Sequence, residues 1–187
     1  MIDNYDSFTY NLVQYIERIE GMEVTVARND KISLEEIEKY EKILISPGPG
    51  VPDEAGLTKK IIAEFGPRKS ILGVCLGHQA IAEVYGGVIV NLDTVYHGVP
   101  DDMQQTAEQV YLFRGIPEVF EAGRYHSWIV QEDGMPDCLE VTARNTQGEV
   151  MALRHRDHDV NGVQFHPESV LTEYGGMMIK NWLDGPA

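Results

Sequence analysis

The stretch that most constrains this chain is Ile71-Leu72-Gly73-Val74-Cys75-Leu76-Gly77-His78-Gln79. An apolar run ends at a cysteine flanked two residues either side by glycine. A helix-favouring segment, Gln79-Ala80-Ile81-Ala82-Glu83-Val84-Tyr85, follows at once. A buried strand running straight into a helix must turn sharply, and the flanking glycines leave room for the crossing backbones. This is the nucleophile-elbow pattern with sulfur in place of a serine oxygen. It leaves the side chain at a helix N-terminus, whose positive end favours a thiolate. On spacing alone a packed core thiol fits as well, that being the common fate of a free cysteine. Two further stretches bear on the choice.

Strand and helix signals alternate around this corner. Met1-Ile2 reads as the tail of a first strand, and Asp3-Asn4-Tyr5-Asp6-Ser7 as a turn in which Asp6 or Ser7 caps the next helix. That helix carries Phe8, Leu12, Tyr15, Ile16 and Ile19 on one stripe and ends at Gly21. Residues 22–26 alternate as a second strand, and Ser33 caps a short acidic helix running to about Tyr40. Ile43-Leu44-Ile45 is a third strand that breaks into Ser46-Pro47-Gly48-Pro49-Gly50. A helix near 58–65 then leads to the elbow strand. This order predicts an α/β fold: a three-layer, mostly parallel central sheet with helices on both faces, and a smaller antiparallel sheet in the C-terminal half. Ligands bind beyond the carboxyl ends of such strands, so 3–5, the Pro-Gly loop and Cys75 share one edge. Residues 93–124 give no clear order. Short strands recur at 128–130, 139–143, 150–154 and 162–165, and a closing helix covers about 173–183.

A chain of 187 residues buries one good core but not two, so 1–187 is read as a single domain. No apolar run approaches the ~20 residues of a membrane-spanning helix, and the start lacks the basic and apolar segments of a signal peptide. The net charge of −15 repels nucleic-acid phosphates and argues against that class of partner. Cys75 and Cys138 show no paired spacing, which fits reduced thiols and a cytoplasmic location.

The first supporting stretch is Gly162-Val163-Gln164-Phe165-His166-Pro167-Glu168-Ser169. In extended backbone, residues two apart project to one side, so His166 and Glu168 point together and Pro167 stiffens the pair. A carboxylate beside an imidazole fixes its tautomer and stabilises its protonated form, as a base for a thiol requires. The second is Pro47-Gly48-Pro49-Gly50, a restricted loop that a ligand can approach closely. It can aim an N–H at a developing oxyanion alongside the N–H of Leu76. It is too short for a phosphate-binding loop and has no lysine. His155-Arg156-Asp157-His158-Asp159 looks metal-like but reads as a charged hairpin tip. His78 and His126 read as supports, Cys138 as inert, and Asn4, Tyr5 and Asp6 as a turn on the active edge, where a partner could also dock.

Together, Gly-Val-Cys-Leu-Gly-His-Gln, Gly-Val-Gln-Phe-His-Pro-Glu-Ser, Ser-Pro-Gly-Pro-Gly and Asp-Asn-Tyr-Asp-Ser-Phe-Thr-Tyr-Asn resemble the class I, triad-type glutamine amidotransferases, which have a flavodoxin-like fold. The last motif, with Gly-Arg-Tyr-His-Ser at 123–127, resembles one branch: the small subunits of anthranilate synthase and, closely similar, of aminodeoxychorismate synthase. The resemblance implies that Cys75 attacks glutamine to give a γ-glutamyl thioester, that His166 moves the protons, and that Glu168 orients it. Gly48 and Leu76 would hold the oxyanion, and Gly48, Pro49, Gly50, Gln79, Ser127 and Trp128 would bind L-glutamine. Ammonia would pass to a chorismate-using synthase large subunit. Any Mg²⁺ would sit on that partner; no cofactor or metal is expected in this chain.

Three departures from the family pattern stand out. Only Met1-Ile2 precede Asp-Asn-Tyr-Asp where several apolar residues are usual, which reads as a shortened start. Val99-Pro100-Asp101-Asp102 replaces a Lys-Thr-Ser-like run that faces the synthase in relatives. Trp128 replaces a leucine and makes the pocket wall bulkier. The leading reading is a glutaminase subunit for anthranilate synthesis. Its rivals are aminodeoxychorismate synthesis, a free-standing cysteine hydrolase of γ-glutamyl substrates, and a catalytically dead binding subunit.

Overall fold

The computed structural model describes residues 1–186, the Glu20 side chain excepted. In chain order the strands are β1 (Ile2–Asp3), β2 (Ala27–Arg28), β3 (Lys42–Ile45), β4 (Ser70–Val74), β5 (Val88–Asn91), β6 (Val99–Gln105), β7 (Val119–Arg124), β8 (Trp128–Gln131), β9 (Leu139–Asn145), β10 (Val150–His155) and β11 (Val160–Val163). The α-helices are α1 (Thr9–Glu20), α2 (Leu34–Ile37), α3 (Thr58–Phe65), α4 (Leu76–Val84) and α5 (Gly175–Asp184).

One nine-stranded sheet runs β2-β1-β3-β4-β11-β10-β9-β6-β7, and β5 pairs with β8 in a separate antiparallel ribbon. Neighbours from β2 to β11 are parallel, and those from β11 to β7 antiparallel. The antiparallel strands of the C-terminal half therefore extend the parallel sheet, and β5–β8 is the small detached piece.

Strand alternation divides the core between the two faces. Leu44, Leu72 and Val74 pack with Leu12 and Ile16 of α1 and with Met178, Ile179 and Trp182 of α5. Ile43, Ile45 and Ile71 pack with Ile37 of α2, with Ile61, Ile62 and Phe65 of α3, and with Ala80 and Ile81 of α4. Each such aliphatic contributes about 1.5–3 kcal/mol by leaving water. The expected three layers are present. Among the described residues no helix is long and apolar enough to cross a membrane.

Several local expectations hold closely. The α1 stripe buries Leu12 and Ile16, and Ser33 caps α2 through a reciprocal capping box with Glu36. The cap expected at Asp6 or Ser7 is not at the helix start: Phe8 stands there without a side-chain cap, and Asp6 accepts from the Phe8 N–H at 2.7 Å in the turn before it. Two others differ. The second strand is not 22–26 but the two-residue β2, because β1 offers only Ile2 and Asp3 as partners, paired with Ala27 and Arg28. The acidic helix stops at Ile37, short of Tyr40. The unordered region 93–124 holds β6 and β7, with Val99-Pro100-Asp101-Asp102 inside β6 and opposite 121–124.

Parallel pairing sets the functional edge. β1, β3, β4 and β11 all end on the same side of the sheet, so Asn4-Tyr5, Ser46–Gly50, Cys75 and the segment from Gln164 share it. Val74 lies opposite Val163, and the Cys75 N–H donates to the Val163 carbonyl at 2.8 Å.

Candidate active site

Cys75 stands at the corner between β4 and α4 with φ 52 and ψ −102. A side chain held there costs on the order of 1–3 kcal/mol, so the surroundings must enforce it. They do so by close crossing. A Cβ on Gly73 would lie 2.5 Å from the Gly77 backbone, and one on Gly77 would lie 2.8 Å from the Ile45 carbonyl oxygen. Cys75 is 7% exposed; its sulfur lies 4.0 Å from the Tyr125 carbonyl oxygen and accepts from the Gln164 side-chain amide at 3.5 Å. A packed core thiol would have no cavity beside it. Cys75 has one, of about 210 Å³, lined also by Gly48, Gly50, Leu76, Gln79, Ser127 and Trp128.

His166 and Glu168 come together, but by a different route from the extended backbone expected. The Ser169 N–H donates to the His166 carbonyl at 3.1 Å, closing a turn with Pro167 at its second position, where its fixed φ is favoured. The turn brings His166 Nδ1 within 2.6 Å of Glu168 Oε1, and both side chains are buried. Burial pulls the imidazole toward its neutral form, but the adjacent Cys75 and Glu168 outweigh it and raise its pKa to about 10. His166 Nε2 has no hydrogen-bond partner among the described residues, which leaves it available to a reacting group. The ring packs against Tyr125, centroids 4.8 Å apart, and Phe8, 5.5 Å apart. Thr172 Oγ1 donates to the His166 carbonyl at 2.7 Å.

The Pro-Gly loop is pinned from behind. Asn4 Nδ2 donates to the Ser46 carbonyl at 2.7 Å, and Asn4 Oδ1 accepts from Asn29 at 2.9 Å and Thr58 at 2.7 Å. Gly48 lies so close to Asn4 that an added Cβ would fall 2.6 Å from the Asn4 Cβ. Leu76, first residue of α4, has a backbone N–H with no helical partner. Gly48 and Leu76 therefore line the cavity together with Cys75.

Of the residues expected to bind a ligand, Gly48, Gly50, Gln79, Ser127 and Trp128 border the cavity, whereas Pro49 does not. Pro49 is exposed, while the glycines either side line the cavity. Gln79 Nε2 donates to the Trp128 carbonyl at 3.0 Å and to Gln164 Oε1 at 3.1 Å. Gln164 was not anticipated as a site residue, although it lies two positions before His166 on the same strand exit. Tyr96, His97 and Tyr125 also line the cavity.

The metal-like run is a hairpin tip between β10 and β11, where His155 and His158 stack 4.1 Å apart. Among the described residues no group of three His, Cys, Asp or Glu side chains could hold a metal ion. A larger groove, about 390 Å³, lies at the opposite ends of β1 and β3, beside Met1, Lys42 and Trp182, and has neither cysteine nor histidine in its lining.

A sequence model of the family described as glutamine amidotransferase class-I matches residues 1–185. The chain is 47% identical over 186 residues to the aminodeoxychorismate/anthranilate synthase component 2 of Bacillus subtilis, covering 98% of this chain and 94% of that protein. It is 47% identical over 185 residues to the aminodeoxychorismate synthase component 2 of Escherichia coli, covering 98% and 97%. It is 48% identical over 191 residues to the anthranilate synthase component 2 of Thermus thermophilus, covering 100% and 91%.

Proposed function

The chain belongs to the class I glutamine amidotransferases, and on that premise we propose that it is the glutaminase subunit of a chorismate-using synthase, making ammonia for anthranilate. The observation that carries the reading is the His166–Glu168 pair, joined at 2.6 Å, next to a cysteine held at a strained corner beside an amino-acid-sized cavity.

In this reading the Cys75 thiol passes its proton to His166 Nε2 and the sulfur attacks the side-chain amide carbon of glutamine. The carbonyl oxygen takes up negative charge and meets the N–H groups of Gly48 and Leu76, a class of contact worth about 10²–10³ in rate per donor. His166, protonated at neutral pH because its pKa is raised to about 10, gives a proton from Nε2 to the departing nitrogen. The C–N bond breaks, ammonia leaves, and a γ-glutamyl thioester remains. His166 then takes a proton from water as it attacks the thioester carbon. The C–S bond breaks, and glutamate leaves. Glu168 keeps the imidazole oriented throughout. Gln79, Gly50 and the backbone at Ser127-Trp128 grip the amino-acid end of the substrate.

Cys75→Ala should abolish glutamine-dependent synthesis with the synthase while ammonium salt still supports it; retained glutamine-dependent activity would end the assignment. A relative whose name carries both syntheses favours aminodeoxychorismate as a second use of the same subunit. Identifying which synthase co-purifies with the native chain decides between one partner and two. A free-standing hydrolase would turn over fully without any partner.

A further inference from the structure

The geometry points to Arg124 and His126 as positioning residues for glutamine, an inference that rests on the glutaminase reading above. Arg124 is 1% exposed. Its guanidinium donates to Asp101 at 2.9 Å and to Glu149 at 2.6 Å, and Asn145 donates to the same two carboxylates. The hydrogen on Nε points at His126 Nε2 from 3.2 Å. A guanidinium never accepts a hydrogen bond, so His126 Nε2 must be the bare acceptor and the ring hydrogen must sit on Nδ1. That nitrogen lies 3.1 Å from the Trp128 carbonyl oxygen and is therefore its donor. Burial, and after it the Arg124 charge, hold the ring in this neutral form.

The Trp128 carbonyl that His126 holds also receives Gln79 Nε2. The second hydrogen of that amide goes to Gln164 Oε1, and Gln164 in turn donates to the Cys75 sulfur. With both amide hydrogens engaged, Gln79 has only its oxygen left for a ligand, an acceptor suited to the ammonium of an α-amino acid. The same arginine steadies the facing wall: its Cζ lies 3.6 Å from the centre of the Tyr96 ring, and its carbonyl accepts from Gly98 at 2.9 Å. Asp101 belongs to the Val99-Pro100-Asp101-Asp102 run that departs from the family pattern. In this chain that run supplies the carboxylate that anchors the relay.

Removing Arg124 would leave two half-buried carboxylates without their cation and invite misfolding, so the test is made at His126. His126→Asn keeps a donor near the Nδ1 position and removes the Nε2 acceptor. His126→Gln keeps an acceptor near Nε2 and removes the donor to Trp128. Each variant is treated with a diazoketone analogue of L-glutamine, which must be gripped as an amino acid, and with iodoacetamide, which need not be. Labelling is followed on the Cys75 peptide by mass spectrometry. His126→Gln should raise the half-saturating analogue concentration about tenfold, the scale of one lost hydrogen bond. His126→Asn should stay within about twofold, and the iodoacetamide rate should be unchanged in both. Equal behaviour of the two variants toward the analogue would overturn the relay, as would a greater loss in His126→Asn or parallel loss toward iodoacetamide. A wild-type chain that the analogue fails to label would instead remove the glutaminase reading itself.

Discussion

The side-chain amide of Gln164 donates to the sulfur of Cys75 at 3.5 Å across 89 positions of sequence. Parallel register makes the contact: Val163 sits opposite Val74, so the residue leaving each strand meets the other at the sheet edge. The attacking form of any thiol is the thiolate, and a hydrogen bond to a charged group is worth about 1.5–3 kcal/mol. Gln164→Leu should therefore slow alkylation of Cys75 and lower glutaminase kcat/KM by about 10- to 100-fold, with stopped-flow alkylation as the check. An unchanged rate would mean that the amide only packs against the sulfur.

Gly48 is set by proximity to Asn4 rather than by backbone conformation. A Cβ there would lie 2.6 Å from the Asn4 Cβ and 2.8 Å from the Asn4 carbonyl oxygen, so Gly48→Ala must push the loop away from Cys75. The expected result is a fall in glutaminase kcat of about 10²–10³, the effect of losing one oxyanion donor, with KM for glutamine moving far less. A fall confined to KM would show that the loop binds substrate without touching the oxyanion.

Much of this was legible in local sequence. The apolar run ending at Cys75 between two glycines, and the Leu12–Ile16 stripe of α1, are short-range patterns whose physics is complete within a dozen residues. The turn joining His166 to Glu168 was harder to read, since a His-Pro-Glu segment suits extended backbone as well as a turn with proline at its second position. Gln164 and Arg124 were not legible as site residues. Their roles come from strand register and from a carboxylate pair, Asp101 and Glu149, contributed by distant segments. The slip of β2 from 22–26 to Ala27–Arg28 has the same origin, because its partner's length decides where an edge strand begins.

His166 should remain protonated well above neutral pH. Its folded pKa, raised to about 10, exceeds the ordinary value near 6.5. The stability it contributes is then fully present below about 6.5 and is lost as pH rises through about 10. Histidine NMR titration should find the ring charged at pH 8 in the wild type and titrating at lower pH in Glu168→Gln, where one source of the rise is removed. A ring that is neutral at pH 8 in the wild type would contradict the Cys75–His166–Glu168 geometry.

Acid acts through other histidines with the opposite sign. Burial depresses His78 to about 4 and, with the Arg124 charge added, His126 to about 3. As pH falls below about 6.5 the unfolded chain takes up protons at both positions and the folded chain does not, so stability is lost progressively down to those values. At 1.36 kcal/mol per pKa unit each site accounts for on the order of 3 kcal/mol or more, a large share of a typical folding free energy. Urea melts at pH 6.5, 5 and 4 should show midpoints falling steadily. His78→Leu, which removes one of the two buried rings that resist protonation, should flatten that slope by about half. An equally steep slope in the variant would overturn the assignment of this acid sensitivity to the buried His78 ring.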